Sequence, residues 1–193
     1  MPRKSAAVED NMANTVILKW NPAVSSYNMI RFLDDIAQEV HESDWSIWEH
    51  ERVRTGDTVY MVKVGCGQNG IVMRGKITSD PAPGEDWSGR GRPTFYCDYD
   101  AEIMINPDAF PLLDSEALRD NIPEFDWTGG HAGVVLPEGA AKTLETMWKA
   151  YLRQNMPEFG SRLELIGKRH MLNDQLYISR RLRRVLNSQE VRS

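Results

Sequence analysis

The chain has 193 residues, of which 41 % are hydrophobic and 26 % charged, and a net charge of −5. That is enough apolar material to close one core, while no stretch approaches the ~18 to 20 continuous apolar residues of a membrane span. The acid excess argues against a protein that coats nucleic acid non-specifically, and the first ten residues, MPRKSAAVED, lack the apolar centre of a secretory signal, so the expected location is the cytoplasm.

Residues 1–14 are polar and aperiodic and are expected to form a loose arm. TVILKW, 15–20, is β-branched and apolar and predicts a buried strand, ended by Asn21-Pro22 because proline cannot continue a central ladder. Met29, Ile30, Leu33, Ile36, Ala37 and Val40 recur at helical spacing, predicting a helix over 25–40 capped by Ser25 or Ser26. TVYMVKV, 58–64, and GIVMRGKIT, 70–78, flank GCGQN and predict a hairpin, introduced by the tight-turn signal RTGD. SDPAPGEDWSGRGRP, 79–93, is a loop by composition, and TFYCDYDAEIMI, 94–105, a long strand.

A short helix is expected within 107–122, an irregular segment over 125–137, and a helix over about 138–153, opened by Pro137 and buried through Leu144, Met147, Trp148, Tyr151 and Leu152. The tail is less regular, with LYISRRLRRVL near helical spacing and rich in arginine. The whole reads as an α+β domain at 15–153, a mostly antiparallel curved sheet or barrel with helices packed outside, followed by a basic, partly helical extension at 154–193.

Few catalytic signals stand out. Cys66 and Cys97 form no CxxC pair and the four histidines are scattered, so free thiols, no metal centre and no cofactor are expected. GCGQNG lacks the strand-before, helix-after setting of a dinucleotide loop and the Lys-Ser/Thr of a P-loop. Asp98 and Asp100 share a strand face and would suit acid-base or metal chemistry, although a structural hydrogen bond and a turn cap explain them as well. The tryptophans are more distinctive. Trp148 belongs to a helical core stripe, but Trp20, Trp45, Trp48, Trp87 and Trp127 fall at strand ends or in loops, where indoles either lid a core or stack a planar ring.

In order along the chain, ILKWNP, DWSIWEHERVRTGDTVYMVKVG, GIVMRGKITSDP, YCDYD and FDWTGGHAGVVLP…LETMW resemble the PUA-like superfamily, closest to its EVE branch as found in modification-dependent restriction systems, with the YTH and ASCH branches as relatives. The resemblance covers about residues 14–152. It implies a curved mixed or antiparallel β-barrel of five to six strands with flanking helices, and a pocket that takes a flipped, modified base of DNA or RNA. It assigns base-edge reading to Asn21, one cage wall and polar contacts to Trp45 and Ser46, and the second wall to Trp87. Trp20, standing where relatives have a small residue, would narrow the pocket or add a wall, and Trp48, Asp98 and Trp127 complete the candidate set.

Phosphate contacts would come from Arg52, Arg54, Lys63, Arg74, Lys76, Arg90 and Arg92, extended by Arg180, Arg181 and the arginines up to Arg184. The implied partners are nucleic acid carrying a modified base and a nuclease or restriction protein, with no membrane and no catalysis by this chain. Two other readings stay open at this point. One is an ASCH-like nuclease or hydrolase using Asp98, Asp100 and His131; the other is a protein-interaction module whose pocket is filled by its own side chains.

Overall fold

The structure, a computed structural model, describes residues 13–168 and 173–190. The expected N-terminal arm therefore lies almost wholly outside the described residues. In chain order the elements are β1 (Thr15–Trp20), α1 (Met29–Gln38), β2 (Glu42–Ser46), β3 (Thr58–Lys63), β4 (Gly70–Ile77), β5 (Ala82–Gly84), β6 (Thr94–Ile105), β7 (Leu113–Asp114), α2 (Ser115–Asn121), β8 (Val134–Val135), α3 (Glu138–Ile166), β9 (Leu176–Ile178) and α4 (Arg180–Glu190).

One mixed sheet organises them. Its order is β2-β6-β4-β3-β1-β8, with β5 and β9 also pairing β6 and β7 pairing β4. Every pair is antiparallel except β1–β3, which runs parallel from Thr15↔Thr58 to Trp20↔Lys63. A parallel pair needs a crossover rather than a tight turn, and residues 21–57, with α1 and β2, supply it. Its central position explains the unbroken apolar run of β1: Val16, Ile17 and Leu18 are buried whichever face they point to.

The sheet curls until its two ends meet. Beyond β2, Ile47 N–H bonds Phe95 C=O (2.8 Å), Trp48 N–H bonds Ala132 C=O (3.0 Å) and Glu49 N–H bonds Gly133 C=O (3.0 Å), while Gly133 N–H bonds Ile17 C=O of β1 (2.8 Å). The lead-in to β8 thus bridges the continuation of β2 to β1, closing a barrel-like curl. At this seam Gly133 has φ +73, and a Cβ there would lie 2.4 Å from Ile47 Cα. The α+β architecture, a curved mixed sheet with helices outside, agrees with the expected fold class.

Several local expectations shift. α1 starts at Met29 because Asn28, not a serine, caps it, accepting from Arg31 N–H at 3.0 Å; the Ser25 hydroxyl instead accepts from Tyr27 N–H at 3.1 Å. Phe32 and Ile36 are the buried side chains of α1, whereas Ile30 is 73 % exposed. The expected end of the body at 153 falls within α3, which continues to Ile166 with Pro157 inside it. The tail is also part of the core: Leu176, Tyr177 and Ile178 are buried, and β9 pairs Ile105, Met104 and Ile103 of β6. Among the described residues no helix is long and apolar enough to cross a membrane.

Candidate nucleic-acid interface

The tryptophans separate by environment. Trp20 is fully buried, its indole 4.8 Å from the Phe32 ring and its Nε1–H bonded to Tyr27 C=O at 2.5 Å. Trp127 is fully buried too, donating to Ile122 C=O at 3.0 Å and packed against Phe125. Neither offers a wall to a ligand, which corrects both expectations: each indole has its polar handle satisfied inside the core. Trp148 takes its expected place there, edge-on to Tyr60.

Trp45 is half-buried on β2, its ring edge-on to Tyr27 at 5.9 Å. Tyr27 also lies 5.7 Å from Trp20 and is only 8 % exposed, so one buried ring packs against both tryptophans. The Tyr27 hydroxyl donates to Asp35 Oδ2 (2.7 Å), and burial raises its pKa above the usual phenol value. Asn21, half-buried just past β1, accepts from Ala23 N–H through Oδ1 at 3.1 Å. Its NH2 is then what it chiefly offers an incoming base.

Ser46 is paired with Tyr96, which also pairs with Ala82 of β5 and donates its hydroxyl to Glu85 C=O at 2.6 Å. Tyr96 thereby pins the start of the Trp87 loop beside Ser46. Within that loop the Asp86 carboxylate accepts from the Ser88 hydroxyl (2.7 Å) and from the backbone N–H groups of Ser88, Arg90 and Arg92 (2.9, 2.9 and 3.0 Å), which hold its pKa well below the carboxylate range. Trp87 is 71 % exposed at the tip of this internally tied loop.

Asp98 is exposed directly across from Asp44, and Asp100 across from Glu42. The outer face of β2–β6 is therefore acidic, a poor place for a phosphate. His41 Nδ1 lies 2.7 Å from Asp100 Oδ1, and His41, Glu42 and Asp100 together could hold a metal ion.

Two further rings come to the rim. Trp48, 57 % exposed, stacks on His131 with centroids 3.5 Å apart and planes 7° from parallel. His50 stacks on Phe95 at 3.6 Å and 13°. Neither partnership shows in the sequence, because each joins residues brought together only by the seam and by β6. A cue existed in the spacing of Trp48 and His50, two apart in one turn.

The basic residues divide likewise. Lys63 is 3 % exposed and donates to Cys66 C=O (2.6 Å), Gln68 C=O (3.0 Å) and Asn69 Oδ1 (3.4 Å), with burial lowering its pKa. Arg74 is held by Glu102, by the Tyr60 hydroxyl (3.1 Å) and by Glu145 (3.5 Å). Both were expected to touch phosphate, and both are instead spent on the fold. Arg180 and Arg181 are exposed on α4, beside β9 at the Ile105 end of β6, while the Trp87 loop joins the Thr94 end. At about 3.3 Å per residue the two groups stand roughly 30 Å apart along that strand, so the arginine tail does not extend the rim. Arg52, Arg90 and Arg92 remain exposed near it, and Arg54 donates to Val53 C=O at 2.6 Å. Lys76 bonds the Thr58 hydroxyl at 2.9 Å. Arg74→Met is expected to lower stability by about 2 to 4 kcal/mol in urea unfolding, since Glu102 loses its cation in a mostly buried setting, and to leave nucleic-acid affinity unchanged.

Both cysteines are free: Cys66 is exposed in its turn, and burial pushes the Cys97 thiol up to about 12. His131 is committed to its stack on Trp48.

No family model and no curated protein matches the chain. Among solved structures it is similar to a hypothetical protein from Leishmania major (12 % identity over 72 % of this chain and 97 % of that one, TM-score 0.48). It is also similar to a protein from Pseudomonas putida (13 %, 69 % and 98 %, TM-score 0.47). A third likeness is to the YTH domain of a Zygosaccharomyces rouxii protein in complex with N6-methyladenosine RNA (13 %, 72 % and 88 %, TM-score 0.38).

Proposed function

We propose that this chain is a nucleic-acid-binding module of the EVE type that reads one modified base, held out of its stack, at the rim of the barrel. The observation that carries the proposal is the setting of Trp45: a half-buried indole braced by Tyr27 and followed by Ser46, whose strand partner Tyr96 anchors the Trp87 loop. Recognition of an extruded base needs one fixed aromatic face, polar groups for its edge and a second face brought over it. Trp45 supplies the first, Asn21 the second and Trp87 the third, while Ser46, whose side chain leaves the opposite face of β2, sets the Tyr96 anchor of the Trp87 loop. The Asn21 NH2 donates to an acceptor on the base edge, and a buried N-methyl group adds about 0.8 kcal/mol, so methylation is the modification we assign. Binding rather than transformation is proposed, with a separate nuclease as the partner that would act on the site once read.

Trp45→Ala is expected to keep the fold and to lose discrimination between methylated and unmethylated oligonucleotides, a change of about 5- to 150-fold for the methylated strand at 1 to 3 kcal/mol per stacked base. Fluorescence anisotropy with matched pairs measures it. Equal affinity of the unmutated protein for both members of every pair would end this reading.

A further inference from the structure

The geometry points to a second nucleic-acid surface beside the base pocket: a stacking platform for the unpaired nucleotides that flank the base being read, made by the Trp48–His131 and His50–Phe95 ring pairs. It rests on the reading that the rim binds nucleic acid, but uses none of Asn21, Trp45, Ser46 and Trp87, and it moves Trp48 from the expected base-binding set to this surface. Both pairs are nearly face-to-face, with centroids 3.5 and 3.6 Å apart. Their supports are adjacent hydrogen-bonded segments, since Ile47 N–H reaches Phe95 C=O and Trp48 N–H reaches Ala132 C=O. Neighbouring segments of a sheet lie about 4.8 Å apart, so the two ring pairs are carried on adjacent segments at the closing seam.

These rings are not lids over the core. Trp48 is 57 % exposed and His131 is exposed, while His50 and Phe95 are half-buried. Each pair covers one face of its rings and holds them flat, which removes the orientational freedom a lone surface side chain would lose on stacking.

The charge around the platforms is close to balanced, with Arg52 and Arg54 against Glu49 and Glu51. Arg52 follows the rings in the same turn, with 54 % of its side chain exposed. The nearest acid, Glu49, spends Oε2 on Val135 N–H (2.6 Å) and Arg52 Nη1 (3.1 Å), although Glu51 is exposed and unmatched by any side-chain bond among the described residues. The modest cationic share means that stacking, more than phosphate contact, supplies the affinity. That selects single strands, whose base faces are open, over a duplex, whose bases stack on one another.

The test uses the full chain and an unmodified 12-nucleotide single strand, as DNA and as RNA, with the matching DNA duplex as third arm. Anisotropy titrations are expected to show at least one single strand binding tenfold or more tightly than the duplex, and the sugar of the tighter strand names the natural ligand. Trp48→Ala combined with His50→Ala is expected to weaken single-strand binding about 5- to 150-fold per lost stack. His131→Ala alone, at an exposed position, is expected to weaken it in the same direction with an unchanged thermal midpoint, which separates loss of contact from loss of fold. A duplex bound as tightly as both single strands, or an unmodified-strand affinity unmoved by His131→Ala and by the paired substitution, overturns the platform. The outcome is distinct from that of the base pocket: Trp45→Ala changes the ratio of methylated to unmethylated affinity, whereas the platform variants lower both together.

Discussion

Gly133→Ala is expected to lower stability by about 2 to 5 kcal/mol, more than most single-methyl additions. Two costs combine. The left-handed backbone at φ +73 disfavours a Cβ by about 1 to 2 kcal/mol. The Cβ itself would lie 2.4 Å from Ile47 Cα and 2.9 Å from Trp48 N, backbone atoms that cannot rotate away, and forced overpacking costs about 1 to 3 kcal/mol. Relief requires the seam to part, so Trp48 and His131 should lose their alignment as well. Urea unfolding gives the first effect, and near-ultraviolet circular dichroism of the indoles the second. Gly139→Ala is the matched control. It lies in the first turn of α3 with nothing within 4 Å of an added Cβ, and should raise stability by about 0.5 to 1 kcal/mol. Comparable small changes at both glycines would mean that the seam closes no barrel.

Trp20→Ala is expected to cost about 4 to 6 kcal/mol, close to the whole stability of a small domain. Truncating a fully buried indole costs about 3 to 5 kcal/mol, and Tyr27 C=O loses the Nε1–H that reaches it at 2.5 Å, adding about 1 kcal/mol or more. The loss would propagate to Trp45, because Tyr27 braces both rings. Trp87→Ala, at 71 % exposure, should shift stability by less than about 0.5 kcal/mol. Chemical denaturation of the two variants side by side separates a tryptophan that builds the barrel from one that is free to meet a ligand. An unfolding midpoint for Trp20→Ala equal to that of Trp87→Ala would contradict the burial assigned to Trp20.

The contrast between those two residues shows what the sequence could convey. Strands with strong internal pattern were legible: TFYCDYDAEIMI marks β6 from end to end, and the GCGQN turn between β3 and β4 stands out through its glycines. β2 was not legible. Trp45 is the lone apolar residue in ESDWS, and that segment is a strand because β6 offers it a ladder from Glu42↔Asp100 to Ser46↔Tyr96. β9 was hidden by its neighbour: three residues are too few to show a period of two, and the helical spacing of α4 runs on from them.

Side-chain roles followed the same rule. Arginine at 74 reads as surface charge until Glu102 and Glu145, distant in sequence, are folded against it. Tyr27, His50 and Phe95 carry no signal in the sequence because their partners lie on other elements. Trp45 and Ser46 are proposed for the pocket on a motif of adjacent residues, whereas the burial of Trp20 and Trp127 depends on what the closed sheet leaves room for.

The position of β9 bears on how the molecule is made. Ile103, Met104 and Ile105 of β6 need residues 176–178 on one flank, and Leu176 and Ile178 are themselves buried. During synthesis β6 emerges some seventy residues ahead of that partner, leaving a hydrophobic backbone edge able to pair with any nascent neighbour. Translation therefore passes through a stage in which most of the sheet exists and one flank of its longest strand, at residues 103–105, still lacks a partner, and a stall or early stop before β9 would release a species prone to self-association.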